Sequence, residues 1–144
     1  MRASIMQIAL PASAIHVSAR TDKGFVTGGV RVVLRLESFA AFAAALFLYA
    51  HNGFSWPLFA LLFLAPDLAI AAYLGGPRAG TAAYNLMHTY ACALALTLAG
   101  FFASMPLAAA CGLIWIAHIG FDRALGYGLK YATEFGDTHL TRLA

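Results

Sequence analysis

The sequence predicts an all-α fold: a polytopic membrane four-helix bundle with both termini on the cytoplasmic side. Three observations carry this. The 144 residues are 62% hydrophobic and 10% charged, with a mean hydropathy of +0.77, whereas soluble domains run at about 45–50% apolar and about 25% charged. A soluble chain this short has too much surface for its volume to hide so much apolar side chain. The apolar residues are gathered into four runs of about 17–24 residues, the length a helix needs to cross a bilayer core. All nine Lys and Arg fall towards one end of the bundle those runs would form, and the positive-inside rule makes that end cytoplasmic. The same composition excludes an ordinary soluble globule, a disordered chain and a disulfide scaffold.

Residues 1–30 read as a mobile cytoplasmic tail. They are mixed in character, and the apolar stretch Ile5 to Leu10 is interrupted by Gln7 and stopped by Pro11, short of a secretory h-region. The transmembrane domain follows over residues 31–131. Its first run is about Leu34 to Ala50, closed by His51-Asn52-Gly53. The second is about Trp56 to Leu74, closed by Gly75-Gly76-Pro77. The third is about Ala79 to Phe102, closed by Ser104-Met105-Pro106, and the fourth is about Leu107 to Leu129. Gly, Asn and Pro punctuate turns, and turns this short make neighbouring helices antiparallel. Residues 132–144 form a polar cytoplasmic tail, in which Asp137-Thr138-His139 is placed to fold back over the mouth of the bundle. The series Gly120, Gly126, Gly128 permits close helix approach, and Lys130 and Tyr131 read as interface anchors.

The pI is about 9.1, but the basic residues form no patch, so no nucleic-acid partner is expected. They set topology instead. Arg2, Arg20, Lys23, Arg31 and Arg35 precede the first run, Arg78 lies in the second turn, and Arg123, Lys130 and Arg142 end the fourth run or follow it. The first and third turns carry none. Cys92 and Cys111 lie in apolar runs and read as reduced, packed thiols.

The polar residues inside the runs carry the functional signal, because an ionised side chain costs about 2.5–3.5 kcal/mol on insertion scales and normally faces the bundle interior. At ~1.5 Å rise per residue, Asp67 lies ~10 Å from the cytoplasmic end of its helix, Asn85 and His88 ~9 and ~14 Å, and Asp122 and His118 ~9 and ~15 Å. Asn85 and His88 are i,i+3, and His118 and Asp122 are i,i+4, so each pair shares a face. Converging faces would bring Asp67, His88, His118 and Asp122 into a two-His, two-Asp layer. That composition suits a zinc, iron or manganese site or a proton relay. The competing reading is a hydrogen-bond network that fixes packing, with Asp67 accepting from Asn85 and Asp122 paired to Arg123.

The strings Ala65-Pro66-Asp67, Gly76-Pro77-Arg78, Tyr84-Asn85 with His88, His118-Ile119-Gly120-Phe121-Asp122-Arg123, Gly126 to Tyr131, and Asp137-Thr138-His139-Leu140 resemble an uncharacterised bacterial domain-of-unknown-function family of small integral membrane proteins. The resemblance runs from about Leu34 to Arg142. It implies a four-helix membrane protein and no activity, and its motif residues coincide with the polar layer, with Asp137 and His139 added.

Two functional classes follow. One is a metal-dependent, hydrolase-like enzyme of the bacterial inner membrane acting on a lipophilic substrate. Its metal ligands would come from Asp67, His88, His118, Asp122 and His139, with Glu37 and Asp122 as catalytic carboxylates and Asn85, Arg123 and Asp137 completing the polar site. The other is a non-enzymatic membrane module: a small subunit of a homo-oligomer or larger complex, or a carrier of an ion, a proton, a lipophilic ligand or a haem held by His88 and His118.

Overall fold

The computed structural model describes residues 26–132 and 135–140. The expected tail therefore lies outside the described residues up to position 25, as do Glu134 and Arg142. Four helical segments are long and apolar enough to cross a membrane: Gly28–His51, Trp56–Gly75, Pro77–Phe102 and Pro106–Leu125. Spanning helices satisfy their own backbone, as lipid requires. Helix α1 (Gly28–His51) starts several residues before the apolar run does. Hydropathy marks only the part in hydrocarbon, while Arg31 and Arg35 continue the helix beyond it, with Arg35 Nε donating to the Ala124 carbonyl at 2.7 Å.

Two of the spans are broken, where the sequence suggested continuous helices. The second is a short α2 (Trp56–Leu62) followed by a 3₁₀ helix over Ala65–Gly75. Pro66 explains the change: its ring nitrogen cannot donate to the Leu62 carbonyl, and the ring clashes with that turn. Eleven residues is long for 3₁₀ geometry, which is usually confined to three or four. The third span is α3 (Pro77–Met87) and α4 (Tyr90–Phe102). They are separated by His88, at φ −110°, ψ 17°, and by Thr89, in extended conformation. Helix α5 (Pro106–Leu125) is continuous. It stops at Gly126, whose φ of 105° is open to glycine at little cost, and the Gly126 and Tyr127 N–H groups close on the Asp122 carbonyl at 3.1 and 2.9 Å.

Helix α5 is the centre of the bundle, flanked by α1 and α4, while the 3₁₀ segment packs on α3. Leu113, Ile114, Ala117 and Ile119 of α5 are fully buried against Ala45 and Tyr49 of α1 and Ala93 of α4. Lipid tails are as apolar as leucine, so helix association in a membrane rests on close packing. Gly120 supplies it at the α1–α5 crossing. A Cβ there would lie 2.8 Å from both the Phe42 nitrogen and the Ser38 carbonyl oxygen. At the far end, Tyr49 donates to the Ser55 carbonyl at 2.6 Å and sits edge-on to Phe54 and Phe59, which anchors the first turn.

The segment after α5 folds back on the bundle. Lys130 and Thr138 form an antiparallel bridge, the Tyr131 N–H donates to the Asp137 carbonyl at 2.9 Å, and the His139 N–H donates to that of Leu129 at 3.1 Å. The Val26 N–H donates to the His139 carbonyl at 2.8 Å, so the start of α1 and the end of the described chain meet. Lys130, Asp137, Thr138 and Leu140 are all buried.

Candidate metal centre

Three elements deliver the polar layer. Asp67 comes from the first turn of the 3₁₀ helix, immediately after the proline that creates it. His88 comes from the break between α3 and α4. His118 and Asp122 come from successive turns of α5. The two imidazole rings are almost fully buried, the Asp122 side chain is 17% exposed, and that of Asp67 is 38% exposed.

Their reactive atoms converge. His88 Nε2 lies 3.1 Å from His118 Nε2, 3.3 Å from Asp67 Oδ1 and 3.5 Å from Asp122 Oδ2. His118 Nε2 lies 3.6 Å from Asp67 Oδ1 and 3.7 Å from Asp122 Oδ2. The two carboxylate oxygens complete a group whose atoms all lie within 4.8 Å of one another. Four ligands about 2.0–2.1 Å from a tetrahedral metal are separated by edges of about 3.3–3.4 Å. The five edges above bracket that value.

The break in the third span sets the protonation pattern. His88 Nδ1 is 2.9 Å from the Tyr84 carbonyl, and a carbonyl only accepts, so Nδ1 carries the proton. Nε2 is left with its lone pair aimed at the cluster, the arrangement metal-bound histidines use. The His88 ring is stacked on Tyr84, with centroids 3.7 Å apart. The carbonyls at the break are taken up by α5: the Met87 oxygen accepts from Trp115 Nε1 at 2.5 Å, and the His88 oxygen accepts from Arg123 Nη2 at 3.0 Å. Non-helical backbone at this depth is tolerated only when it is satisfied in this way. His118 is braced edge-on by Phe63, and among the described residues its Nδ1 closes no hydrogen bond, although the Phe63 backbone is near enough to interact with the ring.

The other expected residues separate from this group. Asn85 clamps the backbone of Lys130, donating to its carbonyl at 2.9 Å and accepting from its N–H at 2.7 Å, so it does not reach Asp67. Arg123 is not an Asp122 partner; besides bonding the His88 carbonyl it lies 4.6 Å over the Tyr90 ring. His139 is outside the four-ligand group: its Nδ1 accepts from the Leu129 N–H at 2.9 Å. Burial and the Arg123 charge push its pKa below the ordinary histidine range. Glu37 is exposed on α1 and lines a separate cavity of about 130 Å³ with Ser38, Tyr90, Arg123 and His139. Asp137 is buried in the folded-back segment, and its carbonyl holds Tyr131. A haem between His88 and His118 does not fit, because nitrogens 3.1 Å apart leave no room for a porphyrin plane.

A cavity of about 360 Å³ opens onto Asp67 and Asp122, walled by Ile70, Tyr84, Tyr127, Lys130 and Phe135, with Thr138 among the remaining groups. Its size is within the range of small-molecule sites. Lys130, expected as an interface anchor, is instead 8% exposed. Its Nζ lies 3.2 Å from the Phe135 ring centroid, 4.4 Å from that of Tyr84 and 5.4 Å from that of Tyr73. Burial pushes its pKa below the usual lysine range, against the pull of Asp67 and Asp122. The sequence signal for this role was the Gly126-Tyr127-Gly128 stop, which turns the chain back instead of letting Lys130 end a helix.

Comparison with curated proteins and with solved structures gave no match. One family model does match, over residues 31–143, and so covers every residue of the centre. The chain therefore belongs to the family described as a domain of unknown function, DUF4260.

Proposed function

We propose that this protein is a metalloenzyme of the bacterial inner membrane, in which Asp67, His88, His118 and Asp122 hold one divalent transition metal (zinc, iron or manganese) beside the 360 Å³ cavity. One observation carries the reading: four candidate ligand atoms, drawn from three separate elements, converge so that the five separations involving a histidine nitrogen run from 3.1 to 3.7 Å, around the edge length of a tetrahedral site. A packing network would pair donors with acceptors. Here His88 Nε2 and two carboxylates present lone pairs to one point, and a cation resolves that arrangement better than a single shared proton does.

The chemistry that fits is hydrolysis of a lipophilic ester. A metal held by these four residues would supply Lewis-acid activation of water, whose pKa falls to about 7 at such a centre, beside a carbonyl or phosphoryl group lodged in the cavity. Asp67 would take the proton that the attacking water loses and return it to the leaving oxygen as the bond to that oxygen breaks. A catalytic metal needs an open or exchangeable position. Asp67 supplies it: it is the most exposed ligand, it faces the cavity, and it rides on a 3₁₀ segment packed mainly on α3. Asp67, freed from the metal, is then also the base beside the water, the role expected of Glu37. The completeness of the four-ligand set favours a second reading, a closed structural or carrier metal in a non-enzymatic module.

Metal analysis of detergent-purified protein tests the proposal. About one metal per chain is expected, with near-complete loss in His118→Ala and retention of at least half in Asp67→Asn. Wild-type protein purified without chelator that holds no stoichiometric transition metal overturns it. A metal equally inert to exchange in wild type and Asp67→Asn assigns the closed-site reading.

A further inference from the structure

We infer that the cavity beside the metal centre takes an amphiphile with an anionic oxygen head group, a phosphate ester or a carboxylate, oriented by Lys130. The inference rests on the metal reading and deepens it. Two aspartates, two neutral imidazoles and a divalent metal sum to zero charge. Lys130 is the remaining charged group among those lining the cavity, so the loaded cavity carries one net positive charge. Among the described residues Lys130 forms no salt bridge. Its ammonium is held by the faces of Phe135, Tyr84 and Tyr73, which position a cation without neutralising it. A buried cation beside a metal centre of zero net charge, with no salt-bridge partner among the described residues, is completed by an anion.

The walls specify the rest of the molecule. Phe135 is 56% and Tyr127 59% exposed, and Ile70 is also exposed, so the cavity rim is apolar. On the flank of the 3₁₀ segment, Leu68 and Leu74 are exposed at 76% and 96%. The mouth thus joins the lipid-facing surface. A free anion would gain nothing from these rings, whereas an alkyl chain entering from the bilayer would lie along them with its head group at Lys130 and the metal.

The test is equilibrium binding to cobalt-substituted protein in neutral maltoside detergent, read from the cobalt absorption spectrum. The probes are octyl phosphate, octanol, octyltrimethylammonium and inorganic phosphate. Octyl phosphate is expected to bind at least tenfold more tightly than the other three. Lys130→Met should weaken it about tenfold with metal content unchanged, and Lys130→Arg should recover most of the loss. Equal binding of inorganic phosphate overturns the amphiphile in favour of a soluble anion, and equal binding of octanol or octyltrimethylammonium overturns the anionic head group. An unaltered affinity in Lys130→Met overturns the role of Lys130. If cobalt does not load stoichiometrically, the metal reading fails and takes this inference with it; if it loads and octyl phosphate shows no preference, only this inference fails.

Discussion

The His88 imidazole is oriented by three neighbours, and each acts on a different part of it. The Tyr84 carbonyl fixes the tautomer, the Tyr84 ring fixes the plane, and Arg123 holds the residue's own carbonyl. Arg123 is thus a positioning residue, and groups of this kind are typically worth 10–100-fold in metal affinity. Arg123→Met should therefore bind metal 10–100-fold more weakly in a chelator competition while still reaching full occupancy in excess metal. Wild-type affinity would reduce Arg123 to a helix-end cap. The convergence of Asp67, His88, His118 and Asp122 was legible in the sequence, because Asp and His in apolar runs are costly and the i,i+4 spacing puts His118 and Asp122 on one face. Depth alone did not separate Asn85, Glu37 and His139 from that cluster. Depth fixes a layer but not a direction around the bundle: α1 carries Glu37 to the cavity of Arg123 and His139, away from the ligand group, and Asn85 finds a backbone partner 45 positions along the chain.

The elements that build the site are the irregular ones. A continuous third span would keep His88 in a helical turn and leave no carbonyl for Arg123. A continuous second span would need an amide hydrogen that Pro66 lacks. Discontinuous helices at membrane depth are a recurrent way of presenting polar groups to a ligand, and here both breaks supply a member of the His/Asp cluster. Pro66 announced the first break in the sequence. The second had no such mark, since Thr89 is only weakly unfavourable in a helix and its break depends on Trp115 and Arg123 from α5. The regular elements matter through their spacing. Gly120 lies midway between His118 and Asp122 and lets α1 approach within backbone contact. Overpacking of this kind costs about 1–3 kcal/mol. Gly120→Val should lower the melting temperature in detergent and reduce metal content together. Gly29→Ala, where an added Cβ meets nothing within 4 Å, should do neither. A Gly120→Val protein with wild-type melting and metal content would show that the α1–α5 spacing is not fixed at this point.

Across the whole molecule, charge and site share one end. Arg31, Arg35, Arg78, Arg123 and Lys130 all lie towards the end where the start of α1 meets the folded-back segment. The opposite turns, residues 52–55 and 103–105, contain no Lys or Arg. Moving that basic end across the membrane would carry these five cations with it, so the positive-inside rule predicts a cytoplasmic location for it. The orientation has a consequence for the centre. Asp67, the proposed ligand exposed to the cavity, and the cavity mouth would then lie at the inner leaflet, where metal loading draws on the cytosolic pool and an amphiphile enters from that leaflet. Single cysteines in a Cys92→Ala, Cys111→Ala background read this directly, because both native thiols are free. Asn52→Cys and Met105→Cys should react with a membrane-impermeant maleimide on intact spheroplasts, whereas Ala79→Cys should react only after permeabilisation. The reverse pattern would place the mouth of the cavity and its lysine on the periplasmic side, and the site would have to be loaded from there.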